Sequence, residues 1–127
     1  MVGEKIKVLI ADDDPFIRDV LTAVLEGDNY AVVSAENGAE AFDAFNADNG
    51  IGLIISDLNM PEMSGRELIK KIRETGRDVP IVILTGNDEL YSDDGGADDY
   101  LLKDENLQDS VVPSVEKVLG KRSRGNT

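Results

Sequence analysis

Residues 53–57 are Leu53-Ile54-Ile55-Ser56-Asp57, a short apolar run that ends in a carboxylate. Similar runs recur along the chain. Apolar runs of this length, rich in β-branched residues, are typical of strands buried on both faces of a parallel sheet. We predict five such strands, at Ile6–Ala11, Tyr30–Ser34, Leu53–Ser56, Val79–Leu84 and Tyr100–Leu102.

The segments between the strands show helical spacing. In the first of them, Asp14 can cap a helix and Pro15 suits the first helical position, while Gly27 is expected to end it. The predicted apolar face of this helix consists of Phe16, Ile17, Val20, Leu21, Val24 and Leu25.

Capping signals mark two more helices. Asn37 and Glu40 bracket one start, and Ser64 with Glu67 has the spacing of a capping box at the other. The last helix is indicated by the apolar residues Val111, Val112, Val115, Val118 and Leu119. Pro113 is expected in the first turn of that helix or at a kink, and Gly120 is expected to end it.

The crossover between the last two strands lacks the helical spacing of the other connections. Only Asp88 to Asp94 could be helical there, and those residues lack an apolar face. The fourth crossover helix is therefore predicted to be short or absent. Strands that alternate with helices nevertheless indicate βαβ units, and hence an α/β fold with a doubly wound parallel sheet.

Composition narrows the classes of function. The 127 residues suit one domain, and neither cysteine nor histidine occurs, which excludes disulfides, Ser-His-Asp triads and His-ligated metals. A net charge of −13 argues against nucleic acid as a partner. No apolar run approaches the length of a membrane helix and no secretory signal is visible, so a cytoplasmic protein without membrane insertion is expected.

Polar side chains follow four of the predicted strands. Asp12 and Asp13 follow the first strand, Asp57 the third, Thr85 the fourth and Lys103 the fifth. Ligands of parallel sheets bind outside the carboxyl ends of the strands, so we expect these residues to lie together. Taken singly, each has an ordinary interpretation as a helix cap, a structural threonine or a surface lysine, and only the joint pattern indicates a site.

These residue types suit phosphoryl chemistry. Adjacent carboxylates repel each other, and Mg²⁺, which prefers oxygen ligands, relieves that repulsion. One carboxylate can also attack phosphorus and form an aspartyl phosphate. Lys103 offers positive charge, Thr85 a hydroxyl, and Asn59 or Met60 backbone groups for the transferring phosphoryl oxygens.

Four ordered blocks of the sequence resemble the receiver domain of response regulators. They are Val8 to Pro15 with Arg18, Leu53 to Gly65, Pro80 to Thr85, and Gly96 to Lys103. The resemblance implies a flavodoxin-like (βα)5 sheet with strand order 2-1-3-4-5. It places the domain at residues 4–120 and leaves 121–127 as a flexible polar tail.

The resemblance also implies a role for each site residue. Asp57 resembles the phospho-acceptor, and Asp12 and Asp13 resemble the acid pair that holds Mg²⁺. Asp13 is favoured as the direct ligand, and Asp12 can act through water. Asn59 would add a backbone carbonyl to the metal.

The remaining roles concern the response. Thr85 resembles the switch hydroxyl, Lys103 the lysine that pairs with the phosphoryl group, and Tyr100 the aromatic switch residue. The implied partners are a histidine kinase or phosphotransfer protein as donor and a downstream protein as target. The domain would catalyse only its own phosphorylation and dephosphorylation, and would not otherwise be an enzyme.

Two alternatives stay open, the first because of departures from the family and the second because Asp12-x-Asp14 resembles a phosphatase motif. Asp104 stands where the family usually has a proline, often in a cis bond, so we expect a trans bond and a possible change in the aim of Lys103. With the shortened helix, this motivates an interaction module that does not use phosphorylation. A phosphatase of the haloacid-dehalogenase type, with Asp12 as nucleophile and Asp14 as acid/base, is the other alternative.

Overall fold

The computed structural model of the chain describes residues 5–86 and 96–125. Within these ranges lie five strands and four helices. In chain order they are β1 Lys7–Ala11, α1 Pro15–Gly27, β2 Ala31–Ala35, α2 Gly38–Ala47, β3 Ile51–Asp57, α3 Gly65–Glu74, β4 Ile81–Thr85, β5 Asp99–Leu102 and α4 Leu107–Gly125. The predicted short helix at 88–94 lies outside the described residues.

The strands form one parallel sheet in the order β2-β1-β3-β4-β5, which confirms the predicted flavodoxin-like order. The chain starts near the middle of the sheet, winds outward to β2, and then returns past β1 to β3. The winding direction therefore reverses between β1 and β3. Ligands of doubly wound sheets bind at this reversal point, beyond the carboxyl ends of the two strands.

Apolar side chains cover both faces of the sheet. On β1, Leu9 and Ala11 join a cluster with α2 and α3, whereas Val8 and Ile10 join a second cluster with α1 and α4. Successive strand residues point to opposite faces. Burial of both faces explains why the strands are continuous apolar runs in the sequence.

The predicted helix starts are confirmed. Asp14 caps α1 by accepting a hydrogen bond from the Phe16 N–H at 2.9 Å, and Asn37 caps α2 in the same way. Ser64 and Glu67 form the complete capping box of α3. Each cap satisfies backbone donors that the helix itself leaves unpaired.

One residue of the predicted apolar face of α1 is exposed to solvent. Leu21 and Leu25 are buried as expected, but Phe16 is 70% exposed. It lies in the first turn of α1, at one edge of the apolar arc, where the helix has just left the end of β1. Phe16 therefore belongs to the predicted apolar face by its position in the helix, but it is not buried with Leu21 and Leu25.

The last helix is longer than predicted. α4 continues through Gly120 to Gly125, so the prediction that Gly120 ends it is wrong. Gly120 is not among the residues with positive φ, and without that conformation glycine weakens a helix but does not end it. Pro113 lies inside the helix, beyond its first turn. The predicted division into a domain at 4–120 and a tail at 121–127 stays a prediction.

None of the helices in the described ranges combines the length and the apolar composition that a bilayer-spanning helix needs.

Candidate functional site

Strand register brings the predicted site residues to one edge of the sheet. Asp57 ends β3 and lies beside Leu84 of β4, one residue before Thr85. Thr85 ends β4, and its carbonyl oxygen accepts a hydrogen bond from the Lys103 N–H at 2.9 Å. At the other side of β3, Ala11 pairs with Ser56, so Asp12 follows next to Asp57.

Three carboxylates converge at this edge. One oxygen each from Asp12, Asp13 and Asp57 lies within 4.8 Å of the others. Asp12 is fully buried and Asp57 is only 6% exposed, whereas Asp13 is exposed. Asp12 and Asp57 thus form the floor of an acid pocket, and Asp13 forms its solvent side.

Lys103 neutralises part of this charge. Its Nζ lies 2.8 Å from Asp12 Oδ2 and 2.9 Å from Asp57 Oδ2, so one ammonium bridges the two buried carboxylates. Contacts of this length between ionised groups are stronger than neutral hydrogen bonds. The structure therefore brings together Asp12, Asp13, Asp57 and Lys103, as the sequence predicted.

Burial and charge act in opposite directions on the pKa values of the pocket. Burial raises the pKa of Asp12 above its ordinary value, although hydrogen bonds from Lys103 and from the Asp14 N–H oppose this. Burial also disfavours the charged form of Lys103, but its hydrogen bonds to Asp12 and Asp57 outweigh it. The pKa of Lys103 is therefore raised, and the lysine stays charged.

The loop after β1 is held by its own hydrogen bonds. The Asp14 N–H donates to Asp12 Oδ1 at 2.8 Å, and the guanidinium of Arg18 donates to the Asp12 carbonyl at 2.7 Å. The carboxylate of Asp14 is used as the helix cap, which does not suit the acid/base role that the phosphatase alternative gave it. Sequence reasoning assigned no role to Arg18, because its partner is a backbone atom that no side-chain pattern reveals.

The loop after β3 passes very close to Asp57. The Asn59 N–H donates to Asp57 Oδ1 at 3.3 Å, a long hydrogen bond. A Cβ on Gly65 would overlap the Asp57 carbonyl oxygen and come within 2.9 Å of the Leu58 Cα. Gly65 is thus required by this close approach of two backbone segments, a role that sequence reasoning missed.

The predicted switch residues flank the pocket. Thr85 is buried, with 2% of its surface exposed. Tyr100 pairs with Ile83 across β4 and β5, packs against the cluster beneath α2 and α3, and has a buried hydroxyl oxygen. Both lie on strands adjacent to the site, and their roles as switches stay predictions.

Asp104 does not turn Lys103 away from the pocket. Its carboxylate accepts a hydrogen bond from the Asn106 N–H at 2.9 Å and so prepares the start of α4. No cis peptide bond occurs in the described parts of the chain, as expected for this position without proline. Lys103 reaches both carboxylates all the same.

A small groove opens beside the pocket. Its cavity of about 190 Å³ lies between the first turns of α1 and the segment that leads from β5 into α4. The lining residues are Phe16, Ile17, Val20, Asp104, Glu105, Leu107 and Gln108. The groove therefore combines an apolar floor with an acidic rim.

The donor set fits Mg²⁺. Three carboxylates offer oxygen ligands from one side, and two of them are buried where their mutual repulsion is strong. Mg²⁺ is commonly held by one or two carboxylates together with waters and a phosphate oxygen. The part of the Asn59 backbone carbonyl in metal binding stays a prediction.

Comparison with known proteins identifies the family. The family model described as the response regulator receiver domain matches residues 8–112. Among curated proteins, the response regulator MprA of Mycobacterium sp. (strain KMS) is 37% identical over 102 residues, which cover 77% of this chain and 44% of that protein. The matched segment thus covers less than half of that relative's length.

Solved structures are similar over nearly their full length. The response regulator TrrA from Thermotoga maritima, in complex with Mg(2+)-BeF, is 36% identical with a TM-score of 0.81, covering 88% of this chain and 97% of that one. The Vibrio cholerae chemotaxis protein CheY4 is 30% identical with a TM-score of 0.81, covering 90% and 98% respectively.

Proposed function

Because the chain belongs to the response regulator receiver domain family, we propose that it accepts a phosphoryl group on Asp57 in a Mg²⁺-dependent transfer from a partner protein. The observation that carries this proposal is the convergence of three carboxylates and one lysine at the sheet reversal point. Asp57 takes part in both features, because it belongs to the carboxylate cluster and its Oδ2 lies 2.9 Å from Lys103 Nζ.

The transfer exchanges one bond to phosphorus for another. An oxygen of the Asp57 carboxylate attacks the phosphorus of a phosphohistidine on a histidine kinase or phosphotransfer protein. The P–O bond forms as the P–N bond breaks, and the imidazole nitrogen keeps the bonding electron pair. The product is an aspartyl phosphate, and the chain's own lack of histidine fits a donor supplied by the partner.

The acid pair and the lysine have different roles in the transfer. Asp13 and Asp57, with Asp12 directly or through water and the Asn59 carbonyl, would hold Mg²⁺. When bound, Mg²⁺ supplies the positive charge that lets an anionic phosphoryl group approach an acid pocket. The Lys103 ammonium then pairs with a phosphoryl oxygen. The similar Thermotoga maritima protein is in complex with Mg(2+)-BeF, which supports a role for Mg²⁺ in this site.

The response follows from the added charge. Phosphorylation adds about −1.5 to −2 charge at Asp57. Thr85 and Lys103 then bind phosphoryl oxygens, and Tyr100 changes its packing against the core, which shifts a population between two surface states. A downstream protein reads the new surface. Beyond its own phosphorylation and dephosphorylation the domain turns over no substrate.

The groove beside the pocket supports a protein as donor. Phe16 exposes an aromatic ring at its edge, and together with Ile17, Val20 and Leu107 it gives the groove an apolar lining on which a protein donor can pack. With a net charge of −13 the chain suits protein partners rather than nucleic acid, and a cytoplasmic location belongs to the same proposal.

Intact-mass spectrometry tests the proposed function. The protein is incubated with Mg²⁺ and a small acyl phosphate, with and without a chelator. We expect one added phosphoryl group in the parent and in Asp43→Asn, a matched change at an exposed acid on α2, and none in Asp57→Asn or under chelation. The absence of an adduct in the parent, with the donor shown to be active, would favour the interaction module that does not use phosphorylation.

A further inference from the structure

We propose that one face of α3 is a docking surface for an acidic helical segment of another protein. The surface consists of Arg66, Lys70, Arg73 and Glu74, which line a groove of about 490 Å³. None of these four residues belongs to the carboxylate cluster or to the groove beside the acid pocket, so the surface does not depend on the phosphorylation proposed for Asp57.

Charge distinguishes α3 and the loop after it from the rest of the chain. Five of the 13 lysines and arginines lie between residues 66 and 77, whereas only two of the 26 acidic residues lie there. This stretch therefore carries a net charge of +3 in a chain with a net charge of −13. One of its two acids, Glu67, is held by the capping box at the start of the helix. A basic surface on an otherwise acidic protein fits a partner that is negatively charged where it touches α3.

Helical spacing places three basic side chains in one row. Lys70 follows Arg66 by four residues and Arg73 follows Lys70 by three, so the three are neighbours on one side of α3. The row is about 10 Å long, which is the length of two helical turns. Arg66 and Lys70 are exposed, and Arg73 is partly exposed. A partner helix with carboxylates at the same spacing matches this row.

Arg73 and Lys70 contribute to the groove in different ways. The guanidinium of Arg73 donates to the carbonyl oxygens of Val79 at 2.7 Å and Gly96 at 2.9 Å. It also pairs with Asp98 at 3.3 Å, so its charge is largely balanced and its position is held. Lys70 makes no ion pair within residues 5–86 and 96–125. Its ammonium is therefore the charge that a partner carboxylate can reach.

The groove suits a protein segment better than a small anion. Its four lining residues all come from one helix, so it is shallow, whereas sites for small ligands bury most of the ligand surface. The methylene stems of lysine and arginine offer apolar surface beneath their charged ends. An amphipathic helix can pack its apolar residues on these stems and pair its carboxylates with the charged ends.

The two grooves of the domain have opposite charge. The groove beside the acid pocket carries Asp104 and Glu105, whereas the α3 groove carries Arg66 and Lys70. An acidic segment is repelled by the first and attracted by the second, and repulsion between like charges is an effective way to exclude a wrong partner. The two surfaces therefore select different partners.

Nuclear magnetic resonance with a synthetic peptide tests the docking surface. The probe is a helix-forming peptide of about 14 residues, with glutamate at positions i, i+4 and i+7 and leucine on the adjoining face. The control peptide has the same composition, but its glutamates are spread around the helix. Backbone amide shifts of the isotope-labelled protein are followed at about 0.1 M salt, where distant charges are screened.

We expect the probe to shift the amides of Arg66, Lys70 and Glu74 in a saturable way and to leave those of Asp104 and Glu105 in place. The control peptide should bind at least about threefold more weakly, because its carboxylates cannot all face the basic row. Absence of saturable shifts on α3, or equal binding of the two peptides, would overturn the inference.

A charge reversal on α3 tests the same surface by affinity. Lys70→Glu should weaken binding of the probe about fivefold or more, because an attraction becomes a repulsion. Lys5→Glu makes the same change in net charge at an exposed position before β1, and it should change the affinity by less than about twofold. Lys70→Arg should bind as the parent does. Equal affinities of Lys70→Glu and Lys5→Glu would contradict the docking surface.

Inorganic phosphate distinguishes a docking surface from a site for small anions. We expect phosphate to displace the probe no more than sodium chloride of equal ionic strength does, because screening is then its whole effect. Stronger displacement by phosphate, with shifts on α3 of its own, would assign the groove to small anions and overturn the inference.

Discussion

The two ends of the sheet each hold a lysine paired with an aspartate, and the pairs differ in their surroundings. At the amino end, Lys7 Nζ lies 2.6 Å from Asp48 Oδ2, with about a third of each side chain exposed at 35% and 32%. At the carboxyl end, Lys103 lies 2.8 Å from Asp12, whose side chain is fully buried. The shorter contact is the more exposed one, so distance alone does not rank the pairs.

Burial decides what each pair can do. An exposed ion pair contributes little to stability, since water solvates the separated charges almost as well. A buried pair whose partner is lost leaves an uncompensated charge, which is strongly unfavourable. The buried carboxylates at the carboxyl end therefore carry an unfavourable electrostatic energy, which would change on binding of a cation or a phosphoryl group. The exposed pair at the amino end only links β1 to the end of α2.

The largest effect is expected from Gly65→Ala at the carboxyl end. The new Cβ would overlap the Asp57 carbonyl oxygen, so backbone must move, at a cost of about 3 kcal/mol. Gly27→Ala is the matched control, because no atom lies within 4 Å of its Cβ position. Urea unfolding should show a large loss for the first variant and a small change for the second. Equal stability of both variants would contradict the required close approach at Gly65.

The paired lysines offer the next test. Without Mg²⁺, Lys103→Met should destabilise the fold by about 2 kcal/mol, below the range of about 3–5 kcal/mol for broken buried pairs because Lys103 is partly exposed. Added Mg²⁺ should restore much of that loss. Lys7→Met should change the stability far less, with no response to Mg²⁺. Chemical denaturation with and without Mg²⁺ measures both, and a Mg²⁺-independent loss in Lys103→Met would point to packing rather than charge.

The pH dependence of the two aspartates should have opposite signs. Burial raises the pKa of Asp12 on folding, so its contribution to stability is present below the unfolded pKa and lost as pH rises through the folded pKa. The hydrogen bond from Lys7 lowers the pKa of Asp48, so its contribution is present above the unfolded pKa and lost as pH falls through the folded pKa.

Melting curves in the presence of a chelator test these signs. At about pH 7, Asp12→Asn should melt about 2–4 °C above the parent, and Asp48→Asn should melt below it. The Asp12→Asn difference should shrink toward about pH 3, where Asp12 is largely protonated in either state, whereas the Asp48→Asn difference should shrink only as pH falls through the lowered folded-state pKa of Asp48. A lower melting temperature for Asp12→Asn at neutral pH would mean that the Lys103 contact outweighs the cost of burying Asp12.

The smallest effect on stability is expected at Phe16. Since 70% of its surface is exposed, Phe16→Ser should change the free energy of unfolding by less than about 0.5 kcal/mol. Leu21→Ala, at a buried position of the same helix, should cost about 2–5 kcal/mol. Phe16→Ser should also be phosphorylated by a small acyl phosphate at the parent rate, which mass spectrometry can follow. A slower rate would place Phe16 in the pocket rather than beside it.

Local signals in the sequence were sufficient to predict most of the secondary structure. The strands were predicted to within about two residues at most ends, because burial on both faces leaves continuous apolar runs. The caps at Asp14, Asn37 and Ser64 were found because they bond to backbone two or three residues away. The prediction at Gly120 was wrong because a glycine of this kind ends a helix only where its φ becomes positive, and the residue type alone does not reveal φ.

The sequence by itself also determined which residue types stand after each strand, and parallel pairing was enough to collect Asp12, Asp13, Asp57 and Lys103 at one edge. Only the tertiary structure decided how they meet there. The lysine bridges two buried carboxylates, Arg18 holds the Asp12 carbonyl, Gly65 makes room for the Asp57 backbone, and Phe16 stays in solvent. The lysine contacts join segments far apart in the chain, and the contacts of Arg18 and Gly65 depend on the paths of the loops after β1 and β3, so no local pattern encodes their distances or burial.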